Sequence, residues 1–244
     1  MEHTDTERRE QEQWERLDDF IASLSPSNPP FLQKIEKEAL ADGVPVIRPQ
    51  TQSLLRWLLT LQKPARILEV GTAVGFSALL MRSCVPDAQI ETIERDEARL
   101  AKARENYAAA GLRRGDGGAA ALPELWYEVG EMPSRWSLAQ WRGDAAEILE
   151  RLDGPYDLIF MDAAKGQYVR FLPQAERLLR PGGVLLSDNI LQDGEILESK
   201  FAVTRRNRTI HKRMREYLFA LTHSETWQTV VLSTGDGAAV SIRK

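Results

Sequence analysis

The sequence predicts an α/β fold with a mostly parallel sheet, and three observations predict it. Short apolar segments alternate with amphipathic helical segments along most of the chain. Several of the apolar segments end in glycine or an acidic residue, as strands do where a parallel sheet forms a ligand-binding edge. Residues 227–244 read as two strands around a GDG turn, a typical hairpin sequence. Alternating strands and helices followed by a hairpin indicate a seven-stranded sheet with helices on both faces.

Composition limits the class of protein. The 244 residues suffice for one large domain, and 43% apolar with 28% charged residues is typical of a globular protein. One cysteine, Cys84, and three scattered histidines argue against disulfides and a zinc site, so any metal would be held by oxygen. The chain lacks a long apolar run and a signal sequence, so we expect a cytoplasmic protein with no membrane contact. A net charge of −4 argues against coating nucleic acid by overall charge.

Residues 1–43 are predicted to form an N-terminal helical segment that precedes the main domain, residues 44–244. Apolar residues recur at helical spacing in 6–24. The prolines of 25–30 end that helix, and a second one is expected over 31–41.

The main domain then follows the α/β alternation. Short apolar runs bounded by turn residues predict strands, and helical periodicity predicts helices. The strands are expected at 66–71, 89–96, 156–164 and 183–191, and the helices at 51–62, 76–85, 97–111, 167–179 and 207–223. Residues 113–137 break the alternation and begin rich in glycine, so they predict a loop insertion with one strand around 125–129.

A glycine-containing turn, "EVGTAVGFS", links the first strand to a helix. Gly71 and Gly75 would let a ligand approach the backbone at a helix N-terminus; a plain tight turn is the alternative. Glu94 ends the next strand, where a carboxylate can accept hydrogen bonds from both hydroxyls of a ribose; a solvated acid is the alternative. Together the two features favour a nucleoside-containing cofactor.

A second turn enters a helix at "GDAAEIL". Asp144 predicts an N-cap, with Glu147 three residues later completing a capping box. The backbone of Asp144 and Ala145 could also border an adenine ring, and both functions are compatible.

Polar side chains end two further strands. Asp162 ends one, and Asp188 with Asn189 ends the next. Neighbouring parallel strands meet at one edge, so these three oxygen ligands could hold Mg²⁺. Lys165 lies one turn from Asp162, and a nearby cation would favour its neutral form, making it a candidate base. The alternative is that Asp162 caps a helix and Lys165 is solvated.

These motifs together resemble the class I S-adenosylmethionine-dependent O-methyltransferases of the catechol and caffeoyl-CoA type. The stretches that carry the resemblance are "ILEVGTAVGFSA", "IERD", "GDAAEIL", "YDLIFMDAAKGQY", "LLRPGGVLLSDNIL" and the GDG hairpin. They run from about Val44 to the C-terminus. Residues 113–137 depart from the family as an insertion. The resemblance implies a Rossmann-like methyltransferase fold.

The resemblance also implies roles for single residues. Ile47, or Val46, would pack near the methionine part of the cofactor, and Gly71 and Ser77 would border its amino-acid end. Glu94 would hold the ribose, and Asp144 with Ala145 would lie by the adenine. Asp162, Asp188 and Asn189 would bind the divalent cation, with Asp162 also touching the cofactor's amino end. Lys165 would be the catalytic base.

The methyl acceptor is the open question. From Lys200 to Arg215 the chain has seven Lys or Arg residues and no Asp or Glu, and this stretch looks most like tRNA 5-hydroxyuridine methyltransferases. The leading hypothesis is methylation of 5-hydroxyuridine to 5-methoxyuridine in tRNA. The predicted tRNA contacts are Arg205, Arg206, Arg208 and Lys212. The alternatives are a small catechol-type acceptor, with a wall from the tryptophans near the insertion, and a cofactor-binding protein without catalysis.

Two further expectations concern assembly and the substrate entrance. The family's habit implies a homodimer, which the N-terminal amphipathic helix could serve. Residues 166–168, "GQY", are expected to shape the rim where the substrate enters.

Overall fold

A computed structural model describes residues 12–13, 16–17, 19–114, 125–129, 136–199 and 203–244. The helices are α1 (Pro30–Ala41), α2 (Pro49–Gln62), α3 (Phe76–Cys84), α4 (Glu97–Ala109), α5 (Ala145–Arg151), α6 (Tyr168–Leu178) and α7 (Arg208–Thr222). The strands are β1 (Arg66–Val70), β2 (Gln89–Glu94), β3 (Leu112–Arg114), β4 (Leu125–Val129), β5 (Trp136–Arg142), β6 (Tyr156–Met161), β7 (Leu179–Ser187), β8 (Trp227–Leu232) and β9 (Ala238–Arg243). Short 3₁₀ turns cover Lys165–Gln167 and Gln192–Leu197.

The described strands form one sheet in the order β3-β4-β5-β2-β1-β6-β7-β9-β8. Strands β5, β2, β1, β6 and β7 run parallel to one another, and β9 runs antiparallel to both β7 and β8. These seven strands are the Rossmann-like methyltransferase sheet that the sequence predicts, with the C-terminal hairpin at one edge. The chain passes from β1 to β2 on one side and later to β6 on the other, so the ligand-binding crevice is expected beside β1.

The insertion adds to the sheet instead of forming only a loop. Strands β3 and β4 pair antiparallel, and β4 continues antiparallel onto β5. The predicted strand around 125–129 is confirmed, whereas Trp136–Arg142 was missed because its first two residues lay within the expected insertion. Of the three tryptophans predicted to form an acceptor wall, Trp126 and Trp136 lie where side chains are not described, so their part stays a prediction. Trp141 is described: its indole N–H donates to Glu91 Oε2 at 2.9 Å, and it is not among the described residues that line the cleft.

Alternating side chains divide the core into two layers. Ile67, Ile90 and Leu158 face one layer, which also contains apolar residues of α1 to α4. Leu68 and Ile159, each one position further along its strand, face the other layer, which contains residues of α5, α6 and α7. This period of two, with both faces apolar, is what a parallel sheet covered by helices requires.

The N-terminal segment is described in part. Residues 19–23 are helical, as predicted, and the rest of the predicted helix over 6–24 lies mostly outside the described residues. Buried residues of α1, among them Leu32 and Ile35, belong to the core layer that contains Ile67 of the sheet. The division near residue 43 and the homodimer stay predictions.

Several predicted boundaries change in the structure. Helices α1 and α2 each begin on a proline, which fits the first helical turn because its missing N–H needs no partner there. Strand β7 begins at Leu179, four residues before the predicted start at residue 183, so the "RPGG" stretch belongs to the strand. No helix among the described ranges has both the length and the apolar character needed to cross a bilayer.

Candidate functional site

A cleft of about 550 Å³ opens at the carboxyl edge of the parallel strands. Its lining includes nine of the site residues singled out from the sequence: Val46, Ile47, Gly71, Glu94, Asp144, Ala145, Asp162, Lys165 and Asn189. They come from six separate stretches of chain. The parallel sheet brings them together because its strands all end at this edge.

The glycine turn after β1 packs directly against the end of β6. Gly71 has φ +112°, and a Cβ there would lie 1.9 Å from the carbonyl oxygen of Asp162. Gly75 has φ +80°, and a Cβ there would meet the ring of Tyr107 at 2.4 Å. Both positions therefore require glycine, for conformation and for space. The requirement for glycine at both positions goes beyond what an ordinary tight βα turn imposes.

Glu94 closes the other side of this turn. Its Oε2 accepts a hydrogen bond from the Ala73 N–H at 3.0 Å, and its Oε1 accepts from the N–H groups of Arg95 at 2.8 Å and Asp96 at 2.9 Å. These bonds hold the carboxylate in one orientation at the cleft. A carboxylate fixed in this way is suited to a ribose diol.

Asp144 is an N-cap, as predicted. Its side chain accepts a hydrogen bond from the Ala146 N–H at 2.8 Å, and helix α5 begins at Ala145. Both Asp144 and Ala145 also line the cleft. Capping and a place beside a cofactor ring are thus compatible.

The proposed metal ligands meet at the ends of β6 and β7. The Asn189 amide donates to Asp162 Oδ1 at 3.3 Å, and Asp188 Oδ1 accepts from the Thr51 hydroxyl at 3.1 Å. Asn189 has φ +58°, a conformation that asparagine tolerates better than most residues and that is common at functional sites. The described residues contain no cluster of three His, Cys, Asp or Glu, so the set is two carboxylates and one amide.

The electrostatics of these carboxylates fit a cation. Burial, followed by repulsion from Asp188, raises the pKa of Asp162 to about 7. Burial also raises the pKa of Asp188. Two adjacent buried carboxylates disfavour each other's ionised form, and a divalent cation would remove that cost. An oxygen donor set of this kind suits Mg²⁺.

Lys165 begins the 3₁₀ turn that follows β6, beside the cleft. Its positive charge acts on both Asp162 and Asp188, favouring their ionised forms. The structure thus brings the candidate base and both carboxylates into one electrostatic cluster. The alternative that Asp162 only caps a helix loses its basis, because Asp162 caps neither the 3₁₀ turn nor α6.

The prediction that "GQY" shapes the substrate rim is wrong for Tyr168. This side chain is fully buried, and its hydroxyl lies 3.1 Å from the carbonyl oxygens of both Met161 and Asp188. The hydroxyl also accepts a hydrogen bond from the Ala163 N–H at 3.3 Å. Tyr168 therefore links the ends of β6 and β7 through its hydroxyl, while its ring packs in the core layer that contains Leu68 and Ile159. Gln167 does line the cleft.

Ser77 lies beneath the glycine turn and is not among the described residues that line the cleft. Its hydroxyl donates to Glu69 Oε1, and the Thr92 hydroxyl donates to Glu69 Oε2 at 2.6 Å. The proposed contact of Ser77 with the cofactor stays a prediction. Burial raises the pKa of Glu69 to about 7, although these hydrogen bonds act against the shift.

The buried Glu69 makes stability depend on pH. The folded protein holds this proton more tightly than the unfolded chain, whose pKa is near 4.5. Its contribution is therefore complete below that pH and is lost as pH rises through about 7. Wild type should lose this contribution between about pH 5 and about pH 8, whereas Glu69→Gln has no such contribution to lose. The free energy of unfolding of Glu69→Gln relative to wild type should therefore rise by up to about 3 kcal/mol over this range. Urea unfolding at both pH values measures this.

The matched control for Glu69→Gln is Glu150→Gln, which removes one carboxylate from an exposed position of α5. Comparison with wild type in the same buffers cancels the contributions of the other acids. A stability difference between Glu69→Gln and wild type that is equal at both pH values would contradict the prediction.

Sequence reasoning missed several cleft residues. Asp236, in the GDG turn, forms an ion pair with Arg48 at 2.5 Å, and both line the cleft. The hairpin also holds the loop that follows Asp188 and Asn189, since the N–H groups of Ile190 and Leu191 donate to the carbonyl oxygens of Gly237 and Asp236. The GDG motif was the available signal, but it was interpreted only as a hairpin turn. Arg99 and Phe171 also line the cleft, and no motif marked them.

The predicted tRNA contacts are not among the residues that line the cleft. Arg205, Arg206, Arg208 and Lys212 are exposed, in the turn before α7 and in its first half. Helix α7 packs on the 3₁₀ turn of Lys165, where Arg213 donates to the Gly166 carbonyl oxygen at 3.1 Å. The basic segment is therefore a neighbour of the candidate site and not a part of it.

Known proteins resemble this chain in sequence and in fold. An O-methyltransferase family model matches residues 133–244. A catechol O-methyltransferase from Niastella koreensis is 30% identical over 193 residues, which covers 76% of this chain and 77% of the relative. The SAH-bound Podospora anserina methyltransferase PaMTH1 has a TM-score of 0.77 at 21% identity, with 96% of each chain covered. The O-methyltransferase TomG from Streptomyces achromogenes, solved in complex with SAM, has a TM-score of 0.75 at 23% identity, covering 96% of this chain and 99% of that chain.

Proposed function

Because the chain belongs to the S-adenosylmethionine-dependent O-methyltransferases of the catechol and caffeoyl-CoA type, we propose that it methylates one oxygen of a catechol-like pair. The observation that carries the proposal is that Asp162, Asn189 and Lys165 line the cleft, with Asp188 close enough for its charge to add to the effect of burial on the pKa of Asp162. The relative from Niastella koreensis is named a catechol O-methyltransferase, which supports this acceptor class.

The cleft supports S-adenosylmethionine as the methyl donor. PaMTH1 and TomG were solved with SAH and SAM, respectively. In this chain Glu94 would accept from the ribose hydroxyls, and Asp144 with Ala145 would border the adenine. Ile47 would pack on the methionine part, while Gly71 leaves room for its amino-acid end beside Asp162.

Asp162, Asp188 and Asn189 would hold the divalent cation. When bound, the cation would favour the ionised form of an acceptor hydroxyl and orient both oxygens of the pair. Lys165 would take the hydroxyl proton. The acceptor oxygen then bonds to the methyl carbon as the carbon–sulfur bond breaks, leaving S-adenosylhomocysteine. The chain contributes chiefly alignment of the two reactants and exclusion of water.

A simple catechol tests this function. With S-adenosylmethionine and Mg²⁺ the purified protein is expected to form the monomethyl ether, because two adjacent oxygens can both approach the cation. The matched control is the same ring with one hydroxyl, which should react at least about 100-fold more slowly. Product is measured by mass spectrometry, with and without a chelator. Equal rates for the two acceptors, or full activity in chelator, would refute the proposal.

A second candidate acceptor is 5-hydroxyuridine in tRNA, whose adjacent O4 and O5 resemble a catechol. The observation that favours it is the exposed basic segment beside the turn of Lys165. In a chain of net charge −4, this clustering suits phosphate contacts. The comparisons favour the small-molecule acceptor.

Charge reversal separates the two acceptors. Changing Arg205, Arg206 and Arg208 together to glutamate is expected to weaken methylation of tRNA at least about 100-fold, since each lost phosphate contact weakens binding. The substrate is tRNA from a strain that lacks the gene, and nucleoside mass spectrometry follows conversion of 5-hydroxyuridine to 5-methoxyuridine. Turnover of a small catechol by the same variant provides the comparison. Equal losses on both acceptors, or no methylation of tRNA by wild type, would exclude this candidate.

A further inference from the structure

One wall of the cleft is a short irregular segment between α1 and α2. Residues 45–48 line the cleft, and Ile47 is 4% exposed. The segment belongs to no helix or strand, and Pro45 has no N–H group with which to form a backbone hydrogen bond. The position of this wall therefore depends on groups that lie outside it.

A buried glutamine of α2 bonds to the wall. Gln52 is 5% exposed, and its side-chain amide donates to the carbonyl oxygen of Ile47 at 2.9 Å. Its backbone N–H donates to the carbonyl oxygen of Arg48, also at 2.9 Å. One residue thus holds two successive carbonyl groups of the wall. Fixing them fixes the backbone that places the Ile47 side chain at the cleft.

The same amide is held by the N-terminal segment. Its nitrogen also donates to Glu36 Oε1 of α1 at 2.8 Å, and its oxygen accepts from the Asn28 amide at 2.9 Å. Asn28 donates in addition to Glu36 Oε2 at 3.3 Å and accepts from the Arg56 guanidinium. A carboxylate and a carbonyl can only accept, so the amide nitrogen of Gln52 has to face Glu36 and Ile47. The network thus leaves the amide one orientation.

We propose that Gln52 is a positioning residue for the methyl donor, an inference that rests on the methyl-transfer function proposed above. Glu36 and Asn28 hold the Gln52 side chain, and Gln52 holds Ile47 against the methionine part of S-adenosylmethionine. A wall that is fixed before the cofactor arrives needs no ordering when it binds, and this increases affinity. Residues 25–41 are not among those that line the cleft, yet through this network they contribute to cofactor binding.

The alternative is that Gln52 only joins α1 to α2. In that case, any change that loosens this packing would weaken cofactor binding as much as the loss of the amide. If Gln52 positions Ile47, loss of the amide has an effect that loosening alone does not have. Ile35 offers the comparison, because it is 6% exposed in α1 and packs in the core.

Calorimetry with S-adenosylmethionine, in the absence of any acceptor, tests the proposal. Gln52→Leu removes the amide and keeps a side chain of similar size, and Glu36→Ala removes the carboxylate that holds the amide. Glu36→Gln is the conservative variant, because its oxygen can still accept from Gln52. Ile35→Val loosens the packing of α1 and leaves the amide in place. Gln228→Leu makes the glutamine replacement at an exposed position of β8.

We expect Gln52→Leu to raise the Kd for S-adenosylmethionine at least about tenfold, because the Ile47 carbonyl loses its donor and the wall loses its fixed orientation. Glu36→Ala should raise the Kd about three- to tenfold, and Glu36→Gln should recover most of that loss. Ile35→Val should lower the melting temperature but keep the Kd within about twofold of wild type, and Gln228→Leu should change neither by more.

Thermal unfolding shows which variants are folded at the temperature of the titration. An equal Kd for Gln52→Leu and wild type, or an equal rise in Gln52→Leu and Ile35→Val, would overturn the proposal. Should Gln52→Leu fail to fold, Glu36→Ala and Glu36→Gln decide the matter, and an equal Kd in these two variants would overturn it.

The outcome is separable from that of the proposed function. If Gln52→Leu weakens cofactor binding but wild type never methylates a catechol, the positioning role stands and the acceptor chemistry is refuted. If wild type methylates catechols and Gln52→Leu binds the cofactor equally well, the positioning role is refuted and the function stands. A wild type that binds no S-adenosylmethionine would overturn both.

Discussion

Asp188→Ala is expected to lower kcat/KM for a catechol at least about 1000-fold, because Lewis-acid stabilisation is worth several kcal/mol and each 1.36 kcal/mol is tenfold. Asp188 is 2% exposed and hydrogen-bonded to Thr51, so its carboxylate is held in one orientation. Steady-state kinetics at saturating Mg²⁺ measure the loss, and calorimetry with Mg²⁺ alone measures metal binding directly.

In Asp188→Ala we expect activity to be lost while the stability of the fold is kept. Repulsion from Asp188 contributes to the raised pKa of Asp162, so the alanine removes an unfavourable interaction when no cation is present. In the presence of chelator, the melting temperature of Asp188→Ala should therefore be at most a few degrees below that of wild type. The control is Asp87→Ala, at an exposed position. Retained activity in Asp188→Ala, or unchanged Mg²⁺ affinity, would remove Asp188 from the metal site.

Lys165→Met is expected to lower kcat about 100- to 10,000-fold, the usual contribution of a general base. Methionine keeps the length of the side chain and cannot take a proton. The Kd for S-adenosylmethionine, measured by calorimetry, should change little, because binding of the cofactor is assigned to other residues. Single-turnover kinetics would place the loss in the chemical step.

Lys165→Arg distinguishes a base from a positive charge. Arginine keeps the charge that favours ionised Asp162 and Asp188, but it does not release its proton at ordinary pH. If Lys165 is the base, both variants should be about equally inactive. Substantial activity of Lys165→Arg would show that only the charge matters and would refute the assigned role.

Much of the fold was predictable because the core pattern is local. Ile67 and Leu68 face opposite layers, and short apolar runs of this kind mark strands covered on both sides. Strand β5 was not predicted, because residues 136 and 137 lay within the expected insertion. A parallel strand that follows an irregular segment also has no hairpin signal of its own. Its pairing with β2 is a long-range contact.

The site was predictable where one residue type at a strand end carries the chemistry. Asp162, Asp188 and Glu94 each follow an apolar run, and parallel strands end at one edge. Tyr168 was not predictable, because the sequence places it beside Lys165, whereas one helical turn carries it into the core to link β6 and β7. Asp236 reaches the cleft only because the hairpin folds onto the loop after Asp188.

The sequence by itself determined the alternation of strands and helices, the two glycines of the first turn and the oxygen-rich strand ends, because these depend on neighbouring residues and on backbone conformation. The tertiary structure decided what depends on distance across the sheet. It placed the Asp162 carbonyl against Gly71, buried the Asp162 carboxyl with Asp188 nearby so that its pKa rises, and set helix α7 beside Lys165. Burial and mutual repulsion act only between groups that folding has brought together, so no local pattern could have specified them.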